Sequence, residues 1–415
     1  MAKNLVGNAI VGQSGGPTAA INATLAGVIK GALASPYIKK IYGMRNGIEG
    51  MLEERFCDLS EIFAEAGKLD MLIHTPAAAL GSCRKKLPKP DSSESADIAF
   101  YERVFEIFKK YDIRYFFYIG GNDSMDTVAK ISKYAEKMDY DICVMGVPKT
   151  IDNDLVATDH TPGFGSAAKY VATTLTEIVR DCAVYTTKAV TIVEVMGRDA
   201  GWLTASAGVG AFCGIEAPDL IYLPERDFSM DAFFASIEET FKKHPNIVVA
   251  VSEGIRFADG RYVGEGTQTG STDVFGHKYL AGTAKALELA VKEKFGCKVR
   301  SIELNLPQRC ASHIASAADL DESVAIGAEA VRLASEEGIS AQMVLFDRVS
   351  NTPYSYKISH KPVCDIANMV KKVPDKYINA EGNYITEKCA EYILPLIEGE
   401  AFPTFKGGLP QYIVL

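Results

Sequence analysis

Asp152 and Asp154 stand two residues apart in Pro148-Lys149-Thr150-Ile151-Asp152-Asn153-Asp154, directly after the apolar run Ile142-Cys143-Val144-Met145-Gly146-Val147. In an extended segment this spacing puts both carboxylates on one face, and Lys149 is close enough to offset part of their repulsion. Such a cluster suits a proton acceptor beside a metal-bound anion. Taken alone, the stretch reads equally well as an Asx-rich turn that ends a strand. An apolar run that stops at carboxylates is also what a buried parallel strand looks like where it delivers side chains to a cleft at its carboxyl end.

Other stretches share that form. Residues 8–12 read as a strand, followed by Gln13-Ser14-Gly15-Gly16-Pro17-Thr18 and a helical pattern over residues 19–33. A glycine turn between a strand and a helix amino terminus can hold an anion, because exposed N–H groups and the helix dipole favour phosphate. The turn has neither GxxxxGK[ST] nor GxGxxG, and a plain strand-to-helix connection explains it as well. The run Tyr115 to Ile119 suits a strand buried on both faces, and it ends in Gly120-Gly121-Asn122-Asp123-Ser124 before helical spacing over residues 125–137. Gly120 and Gly121 let backbone approach a ligand, whereas Asp123 is unwelcome beside phosphate unless a cation compensates; capping the helix with Asp123 or Ser124 is the plainer role. Arg84-Lys85-Lys86, after Gly81-Ser82-Cys83, could steer a polyanion, although a solvated basic turn is the commoner explanation.

The pattern continues at residues 189–195, which lead to Met196-Gly197-Arg198, at 246–252, which lead to Glu253-Gly254, and at 300–306, which lead to Pro307-Gln308-Arg309. Six strands thus each end in glycine with polar or charged groups. Their repetition predicts a doubly wound α/β protein with a cleft lined by strand carboxyl ends. Residues 257–276, rich in glycine and threonine, read as a surface excursion or lid. Residues 342–346 read as a late strand. The tail after about residue 360 carries no legible catalytic pattern, and there is no internal repeat.

The 415 residues allow two or three domains, and 47% hydrophobic residues fit a globular chain with a large core. With 44 basic against 53 acidic residues the net charge is -9, which argues against a nonspecific grip on nucleic acid but not against local binding of a phosphorylated small molecule. Nine dispersed cysteines, none in a CxxC pair, are expected to be reduced core thiols. No apolar run approaches the roughly 20 residues of a membrane span, and the amino terminus has no long apolar leader segment. A cytoplasmic location without membrane attachment is the expectation.

Together, Gly120 to Ser124, Pro148 to Asp154, Met196-Gly197-Arg198, Glu253 and Gln308-Arg309 resemble the phosphofructokinase family in order and spacing over roughly residues 8–345. The resemblance implies two Rossmann-like three-layer domains with largely parallel sheets and an active site in the cleft between them. The donor domain would comprise residues 1–160 plus about 309–355, and the sugar-phosphate domain about 161–308 plus 356–415.

ATP-dependent members carry GGDGS and a glycine before TIDND. Here Asp123 and Lys149 occupy those positions, the pair that marks diphosphate-dependent enzymes. The carboxylate would fill and repel the space of a nucleotide α-phosphate, while Lys149 supplies a cation to the compact diphosphate. The implied reaction is reversible transfer from inorganic diphosphate to the 1-hydroxyl of fructose 6-phosphate, in glycolysis or gluconeogenesis.

Carried over residue by residue, the family mechanism makes Asp152 the proton acceptor with Thr150 nearby. Lys149, Asp123 and Arg198 join them as catalytic candidates. Gly15, Gly16, Gly121, Ser124 and Arg84 would face the donor. Met196, Gly197, Arg198, Glu253 and Arg309 match sugar-phosphate contacts, and Arg300 stands where a neighbouring subunit's arginine contributes. A homodimer or homotetramer with shared sites follows. Magnesium is implied, with Asn122 and Asp154 as ligands.

Three positions depart from the family pattern. Asn122 replaces the usual ligand aspartate, Ala189 beside Lys188 replaces a second cross-interface arginine, and Leu306 replaces an aromatic or histidine. An ATP-dependent enzyme and a non-catalytic subunit of the same fold are the competing readings. The Asp123 and Lys149 pair argues against the first, and the retained Asp152, Thr150, Arg198, Glu253 and Arg309 argue against the second.

Overall fold

The computed structural model describes residues 5–265 and 282–415. Of the excursion expected over residues 257–276, the part beyond residue 265 lies outside the described residues. In chain order the strands are β1 (Gly7–Gln13), β2 (Ile38–Met44), β3 (Phe56–Asp58), β4 (Ile113–Gly120), β5 (Cys143–Pro148), β6 (Ala189–Val195) and β7 (Leu220–Tyr222). They continue with β8 (Asp227–Phe228), β9 (Asn246–Ser252), β10 (Arg256–Phe257), β11 (Lys298–Glu303), β12 (Gln342–Asn351) and β13 (Tyr354–Pro362).

Two sheets carry the architecture. The larger has the order β13-β12-β5-β4-β1-β2-β3, and the smaller β11-β6-β9-β7. All pairings in the smaller sheet are parallel. In the larger sheet only the outer pairs β12/β13 and β2/β3 are antiparallel. The expected α/β architecture is therefore present. The larger sheet runs past residue 355 to Pro362, because β13 pairs with β12 along its length.

The central strands read as unbroken apolar runs because each face meets its own helical layer. Along β4, Tyr115, Phe117 and Ile119 enter one core with Leu25 and Ile29 of helix Ile21–Ala34, while Phe116 and Tyr118 enter another with Val104, Phe105 and Phe108 of helix Ser95–Lys110. In the smaller sheet, Val248 and Ala250 of β9 pack under helix Phe164–Cys182, whereas Ile247, Val249 and Val251 face the opposite core. This alternation is the period of a strand sandwiched between layers.

The chain after β13 serves both units. Val373, Ile378, Cys389 and Ile393 join the core beneath helix Phe164–Cys182, and Ile413 and Leu415 return to pack against the core of the larger sheet. All nine cysteines are free, but only Cys83, Cys143 and Cys389 are buried, so the expected core thiols are three.

Two element boundaries differ from expectation. The strand expected to reach residue 306 stops at Glu303: Asn305 takes a left-handed φ of 42° and Pro307 starts the short helix Pro307–Cys310. The helix expected from residue 125 begins at Asn122 with Gly121 as its N-cap, so Asp123 and Ser124 lie in its first turn and neither caps it.

Helix Ile21–Ala34 and helix Ala317–Glu336 cross so closely that glycine is required on both sides. A Cβ on Gly27 would collide with the Val324 carbonyl, and one on Gly327 with the Thr24 carbonyl. Gly327→Ala is expected to lower unfolding free energy by about 1–3 kcal/mol through overpacking. A denaturant midpoint equal to that of the unsubstituted protein would show that the crossing relaxes freely.

Candidate active site

Strand register sets the turns side by side. Gln13 of β1 is level with Ile119 of β4, and Gly120 of β4 with Pro148 of β5. Ser14 N donates to Ile119 O at 2.9 Å and Lys149 N to Gly120 O at 3.0 Å, so the turns that follow all three strands share one edge. In the smaller sheet Val195 is level with Ser252, and Glu253 N donates to Val195 O at 2.9 Å. These are the carboxyl ends where open α/β sheets hold ligands.

Lys149 is buried, with its Nζ donating to Gly16 O at 2.7 Å. Burial pushes its pKa down to about 8 against the pull of Asp152 and Asp154, and Arg309 and Arg84 add positive charge nearby. The Arg309 guanidinium is likewise held below its ordinary range by burial and by Arg84. A Cβ added to Gly15 would stand 3.4 Å from Lys149 Nζ, and one added to Gly16 3.3 Å from Arg309 Nη1. Lys149 and Arg309, each with its charge disfavoured by Arg84, thus meet at the glycine turn, and this excess of positive charge suits an anion.

The carboxylates stand beside them. Asn153 adopts a left-handed φ of 52°, so the expected extended segment is a turn. Asp152 N donates to Thr150 Oγ1 at 3.1 Å, and Thr150 Oγ1 donates to Asp152 Oδ2 at 3.2 Å. Burial raises the Asp152 pKa, while Thr150, Lys149 and Arg198 favour its charged form. Burial and then Asp152 push Asp154 up to about 7.

The sugar-side candidates meet the same cluster. Met196 N donates to Gln308 Oε1 at 3.1 Å, and Gly197 N to Glu253 Oε1 at 3.3 Å. Gly197 has a φ of 143° and its Cβ would stand 2.7 Å from Ala200 O, so glycine is needed there. Burial raises Glu253 to about 7, with Asp152 adding to the shift. Arg198 Nε is buried and lacks a hydrogen-bond partner among the described residues.

At the start of helix Asn122–Lys137, Asn122 Nδ2 donates to Met369 O at 2.8 Å, while its Oδ1 is buried and without a partner among the described residues. Ser124 is buried against Gly120, where a Cβ would overlap its side chain. Gly121 lies against the Lys149 carbonyl, and Asp123 is 3.9 Å from Lys86 Nζ. Among the described residues no cluster of three or more His, Cys, Asp or Glu side chains could hold a metal. An orphaned amide oxygen and a carboxyl destabilised by burial nevertheless fit a magnesium ion that takes most of its ligands from water and phosphate.

Some candidates lie apart. Arg300 is exposed on the edge strand β11 beside Thr191, lining a hollow with Cys182, Thr174 and Asp181. No hydrogen bond or ion pair joins it to Asp152 among the described residues. Lys188 stands over the Phe241 ring at 4.9 Å, and Leu306 is exposed.

Two features escape the sequence. Lys371 Nζ donates to Asn153 Oδ1, Thr158 O and Asp159 O at 3.1, 3.1 and 2.8 Å. His160 bridges Asp159 and Glu322 at 2.9 and 2.6 Å; burial works against its charge, but these two carboxylates raise its pKa. One of two adjacent lysines in a featureless tail and a single histidine after a loop carry no spacing signal.

The family model described as Phosphofructokinase matches residues 8–334. The chain is 43% identical to a Halomonas elongata protein named pyrophosphate–fructose 6-phosphate 1-phosphotransferase, over 97% of this chain and 95% of that one. It is 44% identical to a protein of the same name from Xanthomonas campestris pv. campestris, over 99% and 96%. The crystal structure of a pyrophosphate-dependent phosphofructokinase from Nitrosospira multiformis superposes with a TM-score of 0.87 at 39% identity, covering 98% of this chain and 95% of that one.

The raised Asp154 gives a pH signature. Folded chains keep its proton up to about pH 7, whereas unfolded chains release it near the ordinary 3.8. Between those values the unfolded state binds fewer protons, so this group's contribution to stability is lost as pH rises through about 7. Asp154→Asn should therefore melt higher than the unsubstituted protein in chelator at about pH 8, with the gap narrowing toward about pH 4. Melting curves that run parallel across this range would exclude a raised Asp154.

Proposed function

The chain belongs to the phosphofructokinase family, and from that premise we propose that it transfers a phosphoryl group reversibly from inorganic diphosphate to the 1-hydroxyl of fructose 6-phosphate. The observation that carries this reading is the buried Lys149 ammonium, 2.7 Å from the Gly16 carbonyl, beside Arg309 and Arg84 and adjoining Asp152. A compact cationic cluster next to a partly desolvated carboxylate matches a small polyanionic donor and a hydroxyl nucleophile. The names of the relatives agree with it.

Asp152 takes the proton of the attacking hydroxyl. Its Oδ2 is engaged by Thr150, which holds the carboxylate in place, and burial raises its proton affinity. Lys149 and the Gly16 N–H stabilise charge on the transferring phosphoryl oxygens, with the lysine regaining full charge as the anion enters. Arg198, Glu253 and Arg309 bind the sugar phosphate, supported by the Met196 and Gly197 backbone. Magnesium, held by Asn122 Oδ1 and Asp154 together with diphosphate oxygens, would neutralise charge on the donor.

We place the donor on the unit built around the larger sheet and the sugar phosphate on the unit built around the smaller one. Arg300, on an exposed edge away from its own Asp152, is supported as a contribution to a neighbouring subunit's site, which makes the enzyme a homo-oligomer. No described helix is long and apolar enough to cross a membrane.

Purified protein with fructose 6-phosphate and magnesium should turn over with diphosphate and far more slowly with ATP. Equal rates with the two donors would overturn the assignment. Asp152→Asn should lower kcat by about 10²- to 10⁴-fold while changing sugar-phosphate binding little. A variant that retains more than about a tenth of the original turnover would remove Asp152 as the base.

Donor choice is tested at Asp123. Its carboxylate occupies the space a nucleotide α-phosphate needs, and Lys86 at 3.9 Å offsets only part of its charge. Asp123→Gly is expected to raise catalytic efficiency with ATP and lower it with diphosphate, whereas Lys149→Gly alone should damage the diphosphate reaction without admitting ATP. No gain in ATP use by Asp123→Gly would place donor selection elsewhere.

A further inference from the structure

The segment that follows β13 crosses the cleft on hydrogen bonds. Met369 and Val370 are exposed, at 51% and 44%, so burial of their side chains does not hold it there. Instead Asn122 Nδ2 donates to Met369 O at 2.8 Å, and Lys371 N donates to Asp154 O at 2.7 Å. Trp202 Nε1, beyond the Met196-Gly197-Arg198 turn, donates to Lys371 O at 2.9 Å. Two residues later Val373 N donates to Glu225 Oε1 at 2.9 Å, and the same oxygen accepts from Gly201 N at 2.9 Å. Residues 369–373 thus touch the donor turn, the loop carrying Asp152 and Asp154, and, at Trp202 and Glu225, the segment beyond the sugar-side turn, all within five residues of chain.

Lys371 is the pivot. Its ammonium donates to Asn153 Oδ1, Thr158 O and Asp159 O, which uses the three donors an ammonium has. Nothing is left over for a substrate. A side chain spent in this way fixes the loop that ends in Asp154, while the Lys371 N–H and C=O hold Asp154 and Trp202. Asn153, between the two aspartates, is gripped a second time because its Nδ2 donates to Tyr392 OH at 2.9 Å.

We propose that Lys371 is a positioning residue for phosphoryl transfer, anchoring a strap, residues 369–373, that holds the donor turn, the Asp152–Asp154 loop and the start of the helix at Trp202, beyond the sugar-side turn, in one register. The inference rests on the roles given above to Asn122, Asp152 and Asp154. The strap makes the environment of Trp202 depend on the donor side: Lys371 Nζ lies 5.2 Å from the Trp202 ring, and Trp202 is the only tryptophan of the chain.

The test pairs kinetics with that fluorophore. In the unsubstituted enzyme without sugar, magnesium diphosphate should change Trp202 emission. Lys371→Met should abolish this response, keep the response to fructose 6-phosphate, and lower kcat by about 10²-fold, the effect of a misplacement near 1 Å. The Michaelis constant for the sugar phosphate should stay within about threefold, since no binding group has been removed.

A folded Lys371→Met with near-normal kcat would overturn the proposal. So would an unsubstituted enzyme that turns over diphosphate with no donor-induced change in Trp202 emission, a result that needs no variant to fold. Failure of the unsubstituted enzyme to use diphosphate at all would instead overturn the functional reading beneath it.

Discussion

The candidate site depends on the desolvation of a few charges between the carboxyl ends of two largely parallel sheets. Lys149 is buried and Asp152 half-buried, and desolvation shifts each toward neutrality. In water these groups would ignore one another at such separations; with water excluded, their fields reach across the cleft. That state is unfavourable for the protein alone. On the function proposed above, it becomes favourable when a phosphate anion enters among Lys149, Arg309 and Arg84, and the binding energy is directed at the place where charge moves in the reaction.

Such a cluster can persist only on a stiff support. The support is the set β1, β4 and β5, packed on both faces, whose register lines up the turns after Gln13, Gly120 and Pro148. A one-residue slip of β5 would exchange the side chains of its two buried faces and carry Lys149 away from Gly16. The same logic holds across the cleft, where β6 and β9 present Met196 and Glu253 level with each other. Glycine appears at the ends of these strands because backbone must pass close to backbone or side chain, as at Gly120 against Ser124 and Gly254 against the Arg198 carbonyl.

This support was largely legible in the sequence. β6 and β9 match the apolar runs at 189–195 and 246–252 to the residue, because a doubly covered strand is a continuous apolar run and a turn must end it. The gathering of Asp152, Lys149, Arg198, Glu253 and Arg309 was legible through repetition and family resemblance, since each turn alone had an equally good plain reading. Local rules erred where polarity and helix overlap: Asn122, Asp123 and Ser124 look like a turn but form the first helical turn over a glycine N-cap.

What remained hidden was pairing at long range between ordinary residues. Lys371 and Asn153 lie 218 positions apart, and His160 and Glu322 lie 162 apart, so no local period could connect them.

Asn122 joins these two kinds of information. Where the family pattern has an aspartate, loss of a carboxylate reads from sequence as a weaker metal ligand and nothing more. In the folded chain its amide nitrogen donates to the Met369 carbonyl of the crossing segment, a bond an ionised aspartate could not form. A carboxylate at 122 would instead set a negative charge against that carbonyl, near an Asp154 already destabilised by burial and by Asp152. The asparagine keeps one neutral oxygen without a partner among the described residues and closes a hydrogen bond to the crossing segment, so the departure from the pattern and the crossing of the tail are one structural solution: charge is removed from the turn after β4 where a backbone link to the loop ending in Asp154 is gained.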